Sequence, residues 1–300
     1  MIWWIDMGST IDALGLSTPG FFRRGSVDME IKAANDCLKS ARLDPNLLGI
    51  LINAGIYRDR HMGEPAIATF IQRAIGANEV ITGNRSTFSF DLTNGGCGML
   101  TGVMVVDGFL QSGMIEHGMV VAADTDPVPG ESLGYSFTPA AAAFLLSRGE
   151  DGSGFLHFKS ETAGRFIDDM QGRLEWRRHK RKMGNILVMS QAEGYAKECA
   201  KYALENLDAF LKEASLKMED VDLIIPSQSP PGFLGELKKK QGMEGKLVDV
   251  TDKLENVHTA GIGFALARAM SSGRFGAAKN CLFLTVGAGI TVSLALYRNL

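Results

Sequence analysis

Two patterns of apolar positions alternate along the chain, one at helical spacing and one of short unbroken runs, and their order repeats. From Asp28, DMEIKAANDCLKSARLDP sets Ile31, Ala34, Leu38 and Ala41 at helical spacing, and the run LLGILINAG after it predicts a buried strand. Much later, AEGYAKECAKYALENLDAFLKEASLKMEDVDLIIPSQSP gives the same order. Tyr195, Cys199, Tyr202, Leu207, Phe210 and Leu211 form the predicted core stripe, and VDLIIP is the strand. Ala41, Leu43, Ile50, Leu51 and Ile52 match Ala214, Leu216, Leu223, Ile224 and Ile225 at one offset of 173.

A second echo follows each unit. VMVVDGFLQSGMIEHGMVVAAD predicts a helix, a turn at Ser112-Gly113 and a strand, and GFALARAMSSGRFGAAKNCLFLTVG predicts the same with its turn at Ser272-Gly273, an offset of 160. Two matches in one order imply an internal duplication, and alternating helices and strands imply an α/β fold with mostly parallel sheets covered by helices. The halves are expected at 1–150 and 151–300, with the boundary in SRGEDGSG, Ser147 to Gly154. If they face each other about a pseudo-two-fold axis, the helix starting near Gly96 lies opposite one starting near Asn256. Cys97, Asn256 and His258 are then expected in one place.

Composition narrows the class. With 300 residues, 45% hydrophobic and 22% charged, the chain can bury one large core or two fused half-domains. A net charge of -3 gives no global case for nucleic acid. The four cysteines, Cys37, Cys97, Cys199 and Cys281, form no CxxC pair, which argues against structural zinc and a disulfide framework. His61, His117, His157 and His179 form no metal pattern with them, and no metal is expected. The start, MIWWIDMGSTID, has no basic segment ahead of its apolar residues, and no apolar run is long enough to span a bilayer. A cytoplasmic protein with no membrane partner is expected.

The candidate chemistry begins at DLTNGGCGMLTG, Asp91 to Gly102, where a predicted strand runs into a helix. Two readings of Cys97 stand. A helix N-terminus favours a thiolate and hence a nucleophile; equally, most free cysteines are small buried residues, and this one sits in a glycine turn. Cys37, Cys199 and Cys281 lie in apolar contexts and are expected in the core.

The duplicated pattern, FDL before a glycine-flanked cysteine, VDLIIPSQS with KKKQGM after it, EN-VHTAGIGFALARAM-SSGR and the final VGAGITVSLALYR together resemble the ketoacyl-ACP synthase III branch of the thiolase-like superfamily, from about Asp28 to Tyr297. The resemblance implies a five-layer αβαβα fold with two pseudo-two-fold related halves, normally a homodimer. It implies an acyltransferase of fatty-acid or polyketide-type metabolism that loads an acyl group from acyl-CoA onto cysteine and condenses it with malonyl on an acyl carrier protein. No cofactor is bound permanently; CoA or the phosphopantetheine of the carrier brings the substrate. A thiolate attacks the thioester, and His and Asn donors stabilise the developing oxygen charge.

Carried over by position, Asn256 matches the family asparagine, and Gly287 and Gly289 match its C-terminal glycine loop. The match departs from the family in three places. The family spacing from the FDL strand puts the cysteine at Gly96, one residue before Cys97, and one helical step turns a side chain by about 100°. PSQSP stands where the family has P-H-Q-A-N, so Ser227 replaces the histidine, and His258 is the imidazole nearest to hand. The CoA-adenine loop W-I-x-x-R-T-G-I has no counterpart before Asp28, and TPAAAA, Thr138 to Ala143, replaces G-D-G-A-G-A; its small residues suit close packing at a dimer or half-half contact. Cys97, Asn256, His258 and Ser227 are therefore the catalytic candidates, with Gly96, Gly287 and Gly289 at the substrate.

RLEWRRHKRKMG places Arg173, Arg177, Arg178, Lys180, Arg181 and Lys182 around Trp176. Its readings are a solvated loop or helical face, or a docking site where Arg177 and Arg178 meet an acidic carrier protein or phosphopantetheine phosphate. Two function classes follow: an acyltransferase working through Cys97, or a synthase-like chain without turnover that partners an active homologue. Ester formation or hydrolysis with His258 as base is a third possibility.

Overall fold

A computed structural model describes residues 8–20, 25–79, 86–179 and 182–300. The apolar start at residues 1–7, part of the segment before Asp28, and Lys180 and Arg181 of the basic run lie outside the described residues. The first half runs β1 (Ser9–Ser17), α1 (Ser26–Ala41), β2 (Leu48–Asn53), α2 (Ile67–Ile75), β3 (Phe88–Asp91), α3 (Gly98–Gln111), β4 (His117–Asp124) and β5 (Ala140–Arg148). After a turn it continues as β6 (Gly154–Phe166), β7 (Met170–His179), β8 (Lys182–Gln191), α4 (Tyr195–Glu213), β9 (Leu223–Pro226), α5 (Phe233–Leu237), α6 (Gly261–Ser271), α7 (Arg274–Ala277), β10 (Asn280–Gly287) and β11 (Gly289–Arg298).

The periodicity placed these elements correctly. Ala34 and Leu38 are buried on α1, with Ile31 and Ala41 packed at the edge of the same cluster. On α4, Tyr195, Cys199, Leu207, Phe210 and Leu211 are buried, and Tyr202 is partly covered. All four cysteines are free and buried.

Sheet topology carries the duplication. The strand order is β3-β2-β4-β5-β1-β6-β11-β10-β9. Read from the junction of β1 with β6, each half repeats one arrangement: β1 with β6, β5 with β11, β4 with β10, and β2 with β9. A single parallel bridge between Ile224 and Leu247 stands in the place that β3 takes in the first half. The junction itself is slight, one antiparallel pair of Ser9 and Phe155.

Mostly parallel sheets, as expected above, are not what forms. Among the described strands only β2 with β3, β2 with β4, and β9 with β10 pair in parallel, isolated bridges aside. The contacts of β1 with β5, β4 with β5, β6 with β11, and β10 with β11 are antiparallel. In the second half the physical reason is the tight return after β10, which turns directly into β11 through Ala288 and permits only an antiparallel neighbour; in the first half β4 reaches the same antiparallel pairing with β5 through the longer segment 125–139.

Three apolar clusters define five layers. One joins α1 and α2 to the outer face of the first sheet half, and one joins α4 and α5 to the outer face of the second. The central cluster holds α3 and α6 between the inner faces, with Leu100, Val103, Leu266 and Phe283 fully buried. The alanine run explains how closely α6 can lie: a Cβ on Gly263 would meet the Ala142 Cβ at 2.4 Å, so small residues on both sides set this contact between halves.

The offset between the halves changes along the central helices. Cys97 caps α3 and Ala260 caps α6, an offset of 163, whereas the helices end at Gln111 and Ser271, an offset of 160. α6 is three residues shorter, 11 against 14. Extending the C-terminal offset back to the helix starts, as the sequence invites, therefore pairs Gly96 with Asn256 too early in the chain. Among the described residues no helix is long and apolar enough to cross a membrane.

Candidate active site

The starts of α3 and α6 converge where the two halves meet. β4 delivers Asp124 at its end, and this carboxylate ties three segments together. Oδ1 accepts from the Ile56 and Tyr57 amides, each at 2.9 Å, and Oδ2 accepts from the Thr259 amide at 3.1 Å and from the Thr259 hydroxyl. His258 Nδ1 lies 3.0 Å from Oδ2. Burial pushes the Asp124 carboxyl up, but the His258 interaction and the Thr259 and Tyr57 donors outweigh it and hold it down at about 2. Asp124 is thus ionised near neutrality, and it requires Nδ1 to carry a proton. With Nδ1–H engaged by Asp124, Nε2 is the ring nitrogen left to exchange a proton with a substrate.

That nitrogen faces Gly96. A Cβ built on Gly96 would stand 3.7 Å from His258 Nε2 and only 2.4 Å from the Val286 carbonyl oxygen. The position that the family spacing assigns to the cysteine therefore holds a glycine, and the backbone of β10 closes the space. Above the imidazole lies an aromatic wall, with Phe137 at 4.3 Å and Tyr57 at 5.6 Å between ring centroids. Phe137, Met170, Tyr195, Ser229 and Gly287 line the remaining cavity beside His258, which measures ≈ 10 Å³, about the space of one water probe.

Cys97 points elsewhere. Its thiol donates to the Thr291 carbonyl at 3.5 Å, among the polar groups of β10 and β11, and the residue is fully buried. Two effects compete on this sulfur. The helix start and hydrogen bonds with Thr285 and Ser293 favour the thiolate, but burial is larger and raises the thiol to about 11. The expectation that Cys97, Asn256 and His258 meet is corrected accordingly: among the described residues the thiol's hydrogen bond goes to Thr291, because the one-residue step from Gly96 to Cys97 turns the sulfur away from the imidazole.

Asn256 and Ser227 have structural partners. Asn256 adopts a left-handed φ of 56° and clamps loops from both halves. Its Nδ2 donates to the Ser136 carbonyl at 3.0 Å and hydroxyl at 3.1 Å, and its Oδ1 accepts from the Ser229 hydroxyl at 2.8 Å. Ser227 Oγ accepts from the Val286 amide at 3.1 Å, which fixes the strand that closes over Gly96. Gly287 lines the small cavity, and a Cβ on it would lie 3.2 Å from the Gly96 nitrogen; Gly289, at a φ of 97°, serves the turn into β11.

Arg177 and Arg178 are not at this site. The described part of the basic run forms the antiparallel ribbon of β7 and β8 rather than a helical face, and there Arg177 pairs with Glu175 at 3.2 Å. Among the described residues no group of three or more His, Cys, Asp or Glu could hold a metal. Asp124 and Phe137 were not anticipated. A lone acid ending the apolar strand MVVAAD is the one signal that pointed to Asp124.

Comparison with known proteins agrees with this architecture. Residues 211–299 match the family model described as 3-Oxoacyl-[acyl-carrier-protein (ACP)] synthase III C terminal. The chain is synthase III-like, with the thiolase-like fold. Beta-ketoacyl-[acyl-carrier-protein] synthase III of Aquifex aeolicus is 25% identical over 279 residues, covering 90% of this chain and 83% of the relative. The corresponding protein of Acidiphilium cryptum is 28% identical over 282 residues with the same coverage. Among solved structures, the Aquifex aeolicus synthase III superposes with a TM-score of 0.76 at 20% identity, covering 97% of this chain and 100% of that one. Xanthomonas campestris OleA with bound lauric acid and lauroyl-CoA gives 0.77 at 16%, covering 98% and 100%. This synthase III-like chain thus shares their fold along nearly its whole length.

Proposed function

We propose that this synthase III-like chain is an acyltransferase that moves an acyl group from a CoA or acyl-carrier-protein thioester directly to an acceptor, with no acyl intermediate on Cys97. The observation that carries this reading is the His258-Asp124 pair, with Nε2 directed at Gly96 rather than at a thiol. The acceptor's own hydroxyl, amine or thiol gives its proton to Nε2 and attacks the thioester carbonyl. Asp124 stabilises the imidazolium that forms, and the proton leaves with the departing thiol. The cavity of ≈ 10 Å³ holds no acyl chain, so substrate entry has to displace Phe137 or the segment from Ser229 to Pro230. Fatty-acid or polyketide-type metabolism in the cytoplasm, acting as a homodimer, is the setting this reading implies.

A second reading has its own support. The closed space at Gly96, with the Val286 carbonyl 2.4 Å from any Cβ, favours a chain without turnover that partners an active homologue. One experiment separates the two. The purified protein is incubated with acyl-CoA and acyl-ACP donors and a panel of alcohol, amine and malonyl acceptors, and thiol release is followed beside intact mass. Turnover that His258→Ala lowers about 10²- to 10⁴-fold, with no adduct on Cys97, supports direct transfer. No release from any pair, together with turnover restored only on adding a Cys-His-Asn homologue, supports the partner role. An adduct lost in Cys97→Ala would overturn both.

A further inference from the structure

The ribbon of β7 and β8 exposes large apolar side chains and concentrated charge together. The register pairs Leu174 with Leu187, Trp176 with Asn185 and Arg178 with Met183, so these six residues share one face. Leu187 at its base is covered, 5% exposed, but the row continues outward through Leu174 at 50%, Trp176 at 68% and Met183 at 55%. The opposite face carries Arg173 and Arg177, which pair with Glu175 at 2.7 and 3.2 Å. From Met170 to Gln191 the sequence holds six Lys or Arg and one acid, on a chain whose net charge is -3.

We infer that this ribbon is a docking element for an anionic lipid surface. Three observations select this occupant. The net positive charge complements acidic headgroups, each cation near such a surface adding to binding. Leu174 and Met183 need hydrocarbon, which a nucleic acid does not offer, and tryptophan favours the boundary between headgroups and acyl chains. Three exposed side chains give far less area than the roughly 800 Å² per partner of a stable protein interface, yet they suffice for shallow insertion assisted by charge. Arg178 on the apolar face can run its stem along Met183 and keep its guanidinium at the headgroups. The expectation of no membrane partner is thereby revised for the surface of a bilayer, with no segment crossing it. The inference is independent of the reaction assigned above.

The test uses the full chain with vesicles of phosphatidylcholine alone and of phosphatidylcholine mixed with phosphatidylglycerol. Co-sedimentation is expected with the mixed vesicles only, falling as salt rises. Tryptophan emission should shift to the blue on binding, and Trp176→Phe should remove the shift while the protein still sediments. Arg177→Glu with Arg178→Glu should weaken sedimentation at least about tenfold, and Leu174→Ser with Trp176→Ser should abolish it, circular dichroism confirming that each variant is folded. Equal binding to neutral vesicles, no binding to either, or variants that bind as well as the parent would overturn the inference. So would a ribbon that captures an acidic carrier protein while ignoring vesicles.

Discussion

His258 Nε2 lies 3.7 Å from the point where a Gly96 side chain would begin, across the contact between the two halves. The imidazole is oriented by Asp124 as a base would be, yet the residue it faces has no side chain. Four measurable consequences follow from this relationship and from the groups that surround it.

Gly96→Cys restores a thiol to the position facing the imidazole, but its Cβ would meet the Val286 carbonyl oxygen at 2.4 Å. The cost falls on backbone, which yields less readily than a side-chain tip. Gly96→Ala and Gly96→Cys should both destabilise by about 1–3 kcal/mol as overpacking does, read from urea midpoints. A Gly96→Ala variant as stable as the parent would show that β10 has room to move.

Cys97 should be inert while the protein is folded. Its thiol is buried and raised to about 11, so at neutral pH almost none is thiolate. Iodoacetamide should leave Cys97 unmodified in the native state and alkylate it once denaturant is added, as followed by peptide mass. Cys97→Ala should cost about 1–2 kcal/mol through the lost sulfur contacts, with acyl transfer retained.

Asp124 sets an acid limit to stability. Its folded value is depressed to about 2, below the ordinary carboxylate value near 3.9. Its contribution is therefore complete above about pH 4 and is lost as the pH falls through about 2, amounting to roughly 2–3 kcal/mol. Asp124→Asn should flatten this acid limb in denaturation curves taken between those pH values. It should also depress transfer, because Asn offers no charge to an imidazolium.

Glu30 works in the opposite sense. It is 1% exposed on α1, its Oε2 has no hydrogen-bond partner among the described residues, and burial, followed by the charge of Asp124, raises its carboxyl well above the usual range. Its protonated form is the one the fold accommodates, so stability is greatest below the unfolded value near 4.3 and declines as the pH rises toward the folded one. Glu30→Gln should remove that decline. Comparison of the two proteins at pH 5 and pH 8 by urea titration checks it; parallel curves would show that Glu30 does not titrate as argued.

Much of the fold was legible because it rests on local periodicity. The helical spacing of Ala34 and Leu38, the run that became β2 and the echo of both in α4 and β9 are properties of short windows, and burial of one face follows from them. The repeat also announced that α3 and α6 would meet. Strand direction was misjudged, since it depends on how β5 and β11 return rather than on the apolar runs themselves. The site was legible in part: the register placed Gly96 where a cysteine was expected. His258 was a candidate, but Asp124 was not, because its partners Ile56, Tyr57 and Thr259 come from distant segments.

By itself the sequence determined two echoing halves, three core thiols at Cys37, Cys199 and Cys281 and a glycine in the expected nucleophile position, since each depends on the identity and spacing of residues along the chain. The tertiary structure alone decided where the side chains aim. One helical step turned the Cys97 sulfur toward Thr291, the three-residue difference between α3 and α6 set His258 rather than Asn256 opposite Gly96, and strand pairing gathered the basic run into an exposed ribbon. These outcomes depend on rotation about a helix axis and on packing between segments remote in sequence, and no local pattern encodes either.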